Sequence, residues 1–209
     1  MTRFRASLAA VCGSVWWLAL VAWVAAIIAP AAAAMVAFPT LPELDVAIPS
    51  TRDFFAGDVE AAGRFVAGYV TNPIFLAADS VRLATALVIW TAVLVFRGRP
   101  PGGGRLSLVA VLAIAIATVL LVTSLTTVAG PLAESLDAWR VAVLDGDHDA
   151  AAQAKAAFDP LHERASTLMS SELLCVLVAI ALSGAASVRS SVTGSASASS
   201  SKSDAGARS

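Results

Sequence analysis

Charge is what this sequence lacks. Of its 209 residues only 14% are charged and 58% are hydrophobic, against about a quarter and about half in a soluble domain. An ordinary water-soluble enzyme is excluded on that ground. Fourteen Lys and Arg face fifteen Asp and Glu, a net charge of -1, so there is no bulk basic surface for nucleic acid. Two cysteines, Cys12 and Cys175, lie inside apolar blocks and provide neither a disulfide framework nor a zinc cluster. The two histidines, His148 and His162, lack the helical spacing of a zinc pair. No Gly-x-Ser-x-Gly elbow and no Gly-x-Gly-x-x-Gly phosphate loop occurs, and there are no repeats of fixed period. A chain that is not an enzyme and carries no cofactor is expected.

What the sequence has is long apolar runs, and these imply lipid. The expected spans are residues 8–29, 74–96, 106–129 and 166–187, since a bilayer core of roughly 30 Å takes about 20 helical residues. The second is the weakest. Leu83–Phe96 alone reaches about 21 Å, and full length requires the helix to begin near Ile74, which draws Asp79 and Arg82 into the bilayer. Arg3, Arg5 and Ala31–Ala34 resemble a signal peptide, but the apolar run from Leu8 to Ala29 exceeds the ~7–15 residues of a signal core, so an uncleaved helix is expected.

Arginine placement sets the expected orientation. Arg97, Arg99 and Arg105 crowd the short link between the second and third spans, Arg3 and Arg5 precede the first, and Arg189, Lys202 and Arg208 follow the fourth. Basic residues in short loops mark the cytoplasmic side. Both termini are therefore expected in the cytoplasm of a cell whose inner membrane holds the chain, with the two larger loops outside. The fold class expected is all-α, a four-helix transmembrane bundle whose helices extend beyond the bilayer on the outer side.

Between the spans, Pro39, Pro42 and Pro49 preclude a continuous helix over Pro39–Arg52. Asp58 is an N-cap candidate for an amphipathic helix bearing Val59, Ala62, Phe65, Val66 and Tyr69, with a kink or break at Pro73. Leu132–Leu144 should prolong the third helix, Asp145-Gly146-Asp147 end it, and Ala150–Ala157 lead into the fourth. Asp145, Asp147 and Asp149 mimic half a calcium loop, but Ala150 and Ala156 stand where its glycine and glutamate belong. Ala113 and Ala117, four apart, suit close helix approach. Ser190–Ser209, rich in Ser and lacking an apolar period, reads as a disordered tail.

The polar residues inside the spans are the candidate site. A charge in hydrocarbon costs roughly 2.5–3.5 kcal/mol and usually has a partner. Asp79 and Arg82 share a helix face at i, i+3, and Glu172 on the fourth span lies at comparable depth. Arg82 is expected to bridge Asp79 and Glu172, with Thr123 and Ser124 on the third helix nearby. One reading makes this layer an interhelical clasp; the other makes it an ion or proton site in the outer half, with a transport-related role. Transport predicts a hydrated pocket reaching Glu172. A structural or assembly subunit predicts a dry core and an exposed apolar groove. Expected partners are the lipid bilayer and either a second copy or a membrane-complex subunit.

Two stretches carry a family likeness. The first runs from Trp23-Val24-Ala25 through Ala29-Pro30 to Phe38-Pro39 and Leu41, followed by Ala62-Gly63-Arg64-Phe65-Val66-Ala67-Gly68-Tyr69. The second is Phe158-Asp159-Pro160-Leu161-His162 with Ser166 one turn on. Together they resemble the bacterial integral membrane family related to transmembrane protein 205. The resemblance implies a four-helix membrane domain and singles out Pro30, Gly63, His162 and Ser166. Two departures stand out. Ala25 occupies a position where that family usually has glycine, and Met169 or Ser170 one where it has asparagine.

Overall fold

The computed structural model describes the backbone of residues 2–95 and 104–206, and the side chains of 11–95 and 105–189. Five helices run in order: α1 (Thr2–Glu43), α2 (Val59–Val95), α3 (Gly104–Thr123), α4 (Ala129–Asp145) and α5 (His148–Gly206). A 3-10 turn, Pro49–Thr51, lies between α1 and α2. A π-helical turn, Ser124–Val128, joins α3 to α4 as one rod. Among the described residues there is no strand. The architecture is an all-α four-helix bundle made of two antiparallel hairpins, α1 with α2 and α3–α4 with α5.

Local chemistry explains the boundaries. Asp58 caps α2 through its carboxylate, which accepts from the Ala61 N–H at 3.0 Å, as its position before the apolar period predicts. Gly146 ends α4 in the left-handed conformation (φ 75°), and its N–H reaches the Ala142 and Val143 carbonyls. The missing Cβ is what makes that conformation cheap. Asp147 then caps α5, accepting from the Ala150 N–H at 2.9 Å. The acidic turn is thus helix punctuation.

Proline behaves differently from expectation in α1. The Pro39–Arg52 stretch is broken as expected, but the break falls after Glu43, and Pro39 and Pro42 lie inside α1. At Pro73, where a kink or break was expected, there is no break, and α2 runs on as one helix. Each proline removes one backbone N–H, and packed neighbours make that tolerable in membrane helices. The expected disordered tail, Ser190–Ser209, continues as helical backbone to Gly206; its side chains and its last three residues lie outside the described residues. So do the side chains of the Arg97–Pro101 part of the link and of Arg3 and Arg5.

Two cores lie along the bundle. The larger holds Trp16, Leu20, Trp23 and Ile27 of α1, Ile89 and Val93 of α2, Ile114 and Leu121 of α3, and Val176 of α5. Ala110, Ala113 and Ala117 are buried in it, so the small residues of α3 bring backbones close, as their spacing suggests. The smaller core caps the end away from the α2–α3 link. There Phe65, Ala142, Val143 and Ala151 pack with Ile48, Phe54, Phe55, Tyr69 and Trp139.

The outside is as apolar as the inside. Leu18, Met35, Leu94, Leu108 and Leu174 are each more than half exposed, an area far beyond what a soluble monomer shows to water. Four helices are long and apolar enough to cross a membrane: Val11–Glu43, Val59–Val95, Arg105–Asp145 and His148–Arg189. At 33 to 42 residues they are ~50–63 Å long, well beyond the ~30 Å hydrocarbon core. This is a multi-span membrane protein in contact with lipid.

Gly63 ties the hairpin α1–α2 at the cap end, because a Cβ there would lie 2.5 Å from the Pro42 backbone. Gly63→Ala is expected to lower stability by about 1–3 kcal/mol through forced separation of the helices. The control is Gly68→Ala, where a Cβ meets nothing within 4 Å and helix propensity improves. Thermal unfolding of both variants in detergent checks this; equal melting temperatures would refute it.

Candidate functional site

The site is built on one guanidinium. Arg82 projects from the inward face of α2 and is 3% exposed, and Glu172 faces it from α5 at 0%. Arg82 Nε donates to Glu172 Oε1 at 3.0 Å, and Nη2 donates to Oε2. This paired geometry fits the planar fork of arginine to the carboxylate. Its remaining nitrogen, Nη1, donates to Asp79 Oδ1 at 2.5 Å and approaches the Met169 sulfur at 4.0 Å. Arg82 therefore bridges Asp79 and Glu172, as expected from the i, i+3 spacing and the depth of Glu172.

A third helix completes the layer. Trp23 of α1, itself fully buried, donates its indole Nε1–H to Glu172 Oε1 at 2.6 Å. Glu172 thus accepts three hydrogen bonds from two other helices, and both its oxygens are engaged. The indole nitrogen is a donor with no acceptor capacity, and Glu172 supplies the acceptor for Trp23, whereas the equally buried Trp16 Nε1 meets none among the described residues. Trp16 and Trp23 are seven apart on one helix face, and that spacing was the available signal. It identifies a buried face without saying which acceptor meets it.

Charge is not balanced within the layer. Arg82 and Glu172 neutralise each other and are shut off from the surface. Asp79 is the surplus anion; its side chain is 30% exposed and its hydrogen bond to Arg82 is its single ion pair. Inside low-dielectric surroundings such pairs are strong, but desolvation offsets most of the Coulombic gain. Removing one member is then far worse than replacing all of them.

The other expected residues do not join. Thr123 ends α3 and Ser124 opens the π turn, and neither side chain bonds to Asp79, Arg82 or Glu172. The hydroxyls around them turn to their own backbone: Thr126 to the Val122 carbonyl and Thr127 to that of Thr123. Pro30 is buried in α1 and Gly63 meets Pro42. His162 is exposed and stacks on Phe158 at 5.4 Å, while Ser166 Oγ donates to the His162 main-chain carbonyl at 2.9 Å. His148 stacks on Phe54 at 4.3 Å. No group of His, Cys, Asp or Glu able to hold a metal occurs among the described residues.

A second interhelical bond lies toward the link end, where Trp90 Nε1 donates to Thr118 Oγ1 at 3.0 Å. An open groove of about 380 Å³ runs between α1 and α5, lined by Val21, Val24, Ala25, Ile28, Ala29 and Ile180. Every one of those side chains is aliphatic.

Fold and layer together define the class: a helical multi-pass membrane protein with one ionic layer clasping three helices. No family profile, no curated protein and no solved structure matches the chain.

Arg82→Met, which strands Glu172, is expected to cost about 3–5 kcal/mol. The triple variant Asp79→Asn, Arg82→Met, Glu172→Gln, which removes every charge and keeps an amide oxygen for the Trp23 indole N–H, should recover most of that loss. Unfolding free energies in mixed detergent measure both; a triple variant as unstable as the single one would contradict the clasp energetics.

Proposed function

We propose that this chain is a structural or assembly subunit of a membrane complex, not an enzyme, and that its ionic layer locks three helices together. The observation that carries the reading is the closure of Glu172. It is fully buried, its oxygens are taken by Trp23 and Arg82, and the groove on the bundle is aliphatic. A dry core with an apolar groove is what distinguishes a scaffold from a transporter here. The proposal places the chain in the cytoplasmic (inner) membrane with both termini in the cytoplasm, and retains its kinship to the transmembrane-protein-205-related family.

A second reading, transport-related with an ion or proton site in the outer half, has one observation in its favour. Asp79 carries the layer's surplus charge and is partly open.

Glu172→Gln separates the two readings. The clasp predicts a marked fall in folded protein and no change in ion or proton flux per folded molecule in proteoliposomes. Normal folding with altered flux would overturn it in favour of transport. Sidedness is tested with a single cysteine at Gly102 in a background lacking Cys12 and Cys175. An impermeant maleimide should label it in inside-out vesicles and leave it unlabelled on whole cells; labelling on whole cells reverses the topology.

A further inference from the structure

Three of the helix prolines, Pro30, Pro73 and Pro131, fall at one height of the bundle, while Pro39 and Pro42 of α1 and Pro160 of α5 lie nearer the cap. Gly63 meets Pro42 across the α1–α2 hairpin. From that contact, twelve residues lead back along α1 to Pro30 and ten lead along α2 to Pro73, a descent of about 18 and 15 Å. The two prolines therefore lie within about 3 Å of one height. Phe65 of α2 packs edge-on against Trp139 of α4 at 5.3 Å. From there, eight residues on each helix lead to Pro73 and to Pro131, about 12 Å in both cases. Three helices carry a proline at one level.

The fourth helix carries its proline, Pro160, six residues nearer the cap, and at this level it has two adjacent hydroxyls bonded to its own backbone. Trp139 stacks on Phe158 of α5 at 6.4 Å, and eight residues further in stands Ser166. Ser166 and Thr167 donate their hydroxyls to the carbonyls four residues back, at 2.9 and 3.0 Å. Such back-bonding lengthens the ladder and bends helices. The π turn Ser124–Val128 lies just before Pro131; in a regular α-helix a proline ring clashes with the carbonyl four residues back, and widening the helix there relieves such a clash. Prolines and π turns are the recognised causes of helix bending, and here they coincide on α1, α2 and the α3–α4 rod.

The packing divides at this level as well. The large core with its ionic layer lies on the link side, and the aromatic core lies on the cap side. We infer that the bundle bends at this plane, the aromatic cap moving as one body against the link-side bundle. The ionic layer, seven to nine residues below Pro30 and Pro73, then holds three helices fixed just under the pivot. Trp23 on α1 and Arg82 on α2 mark its height.

The test is pulsed electron-spin spectroscopy on the full chain in lipid nanodiscs, with Cys12 and Cys175 replaced by serine. Spin labels at Val59 and Leu144 report within the cap, labels at Leu94 and Leu108 within the link-side bundle, and labels at Leu144 and Leu94 across the plane. All four positions are exposed. Distance distributions within each body are expected to be narrow and the one across the plane about twofold wider, as for a hinge between rigid bodies. Pro73→Ala with Pro131→Ala should narrow it. A wild-type distribution across the plane as narrow as the other two overturns the inference, whether or not the proline variants fold.

Discussion

Everything in this bundle rests on how a guanidinium is kept in a place that holds little water. An arginine inside the hydrocarbon must bring its own solvation, and Arg82 does so with a carboxylate from another hairpin and one from its own helix. Three helices are tied by that requirement. Because lipid tails are as apolar as Leu, apolar contact contributes little driving force for helix association in a bilayer. Polar contacts and close backbone approach then decide which faces meet. The Arg82–Glu172–Trp23 contact, the Trp90–Thr118 bond and the Gly63–Pro42 approach do that work here, at three heights of the bundle.

Much of the fold was legible because membrane helices declare themselves by length and apolarity, and because caps are local. Asp58 and Gly146 act where their side chains, or the lack of one, say they should. Asp79 and Arg82 could be paired on spacing, and Glu172 on depth. Trp23 could not, because its partner is 149 positions away and depends on how α1 is rotated against α5. Thr123 and Ser124 were over-read for the opposite reason. A hydroxyl on a membrane helix can always satisfy itself on its own backbone, so depth alone says nothing about partners.

Prolines end fewer helices here than their number suggests. In water a proline inside a helix usually ends it, since the freed carbonyl can turn to solvent and the chain can leave. At Pro73 the remaining hydrogen bonds have no competitor within lipid, and at the cap end Pro42 is packed against Gly63, so α2 and α1 continue through them. The lost bonds are paid for in local stiffness instead of in helix ends.

Asp79 has a consequence for synthesis. Arg82 and Glu172 belong to different hairpins, and the chain emerges N-terminus first, so α2 enters the membrane before α5 exists. During that interval Arg82 has no Glu172, yet it already has a carboxylate three residues away on its own helix. The nascent second span thus inserts with its cation locally compensated, and Glu172 later completes a contact that insertion itself did not need.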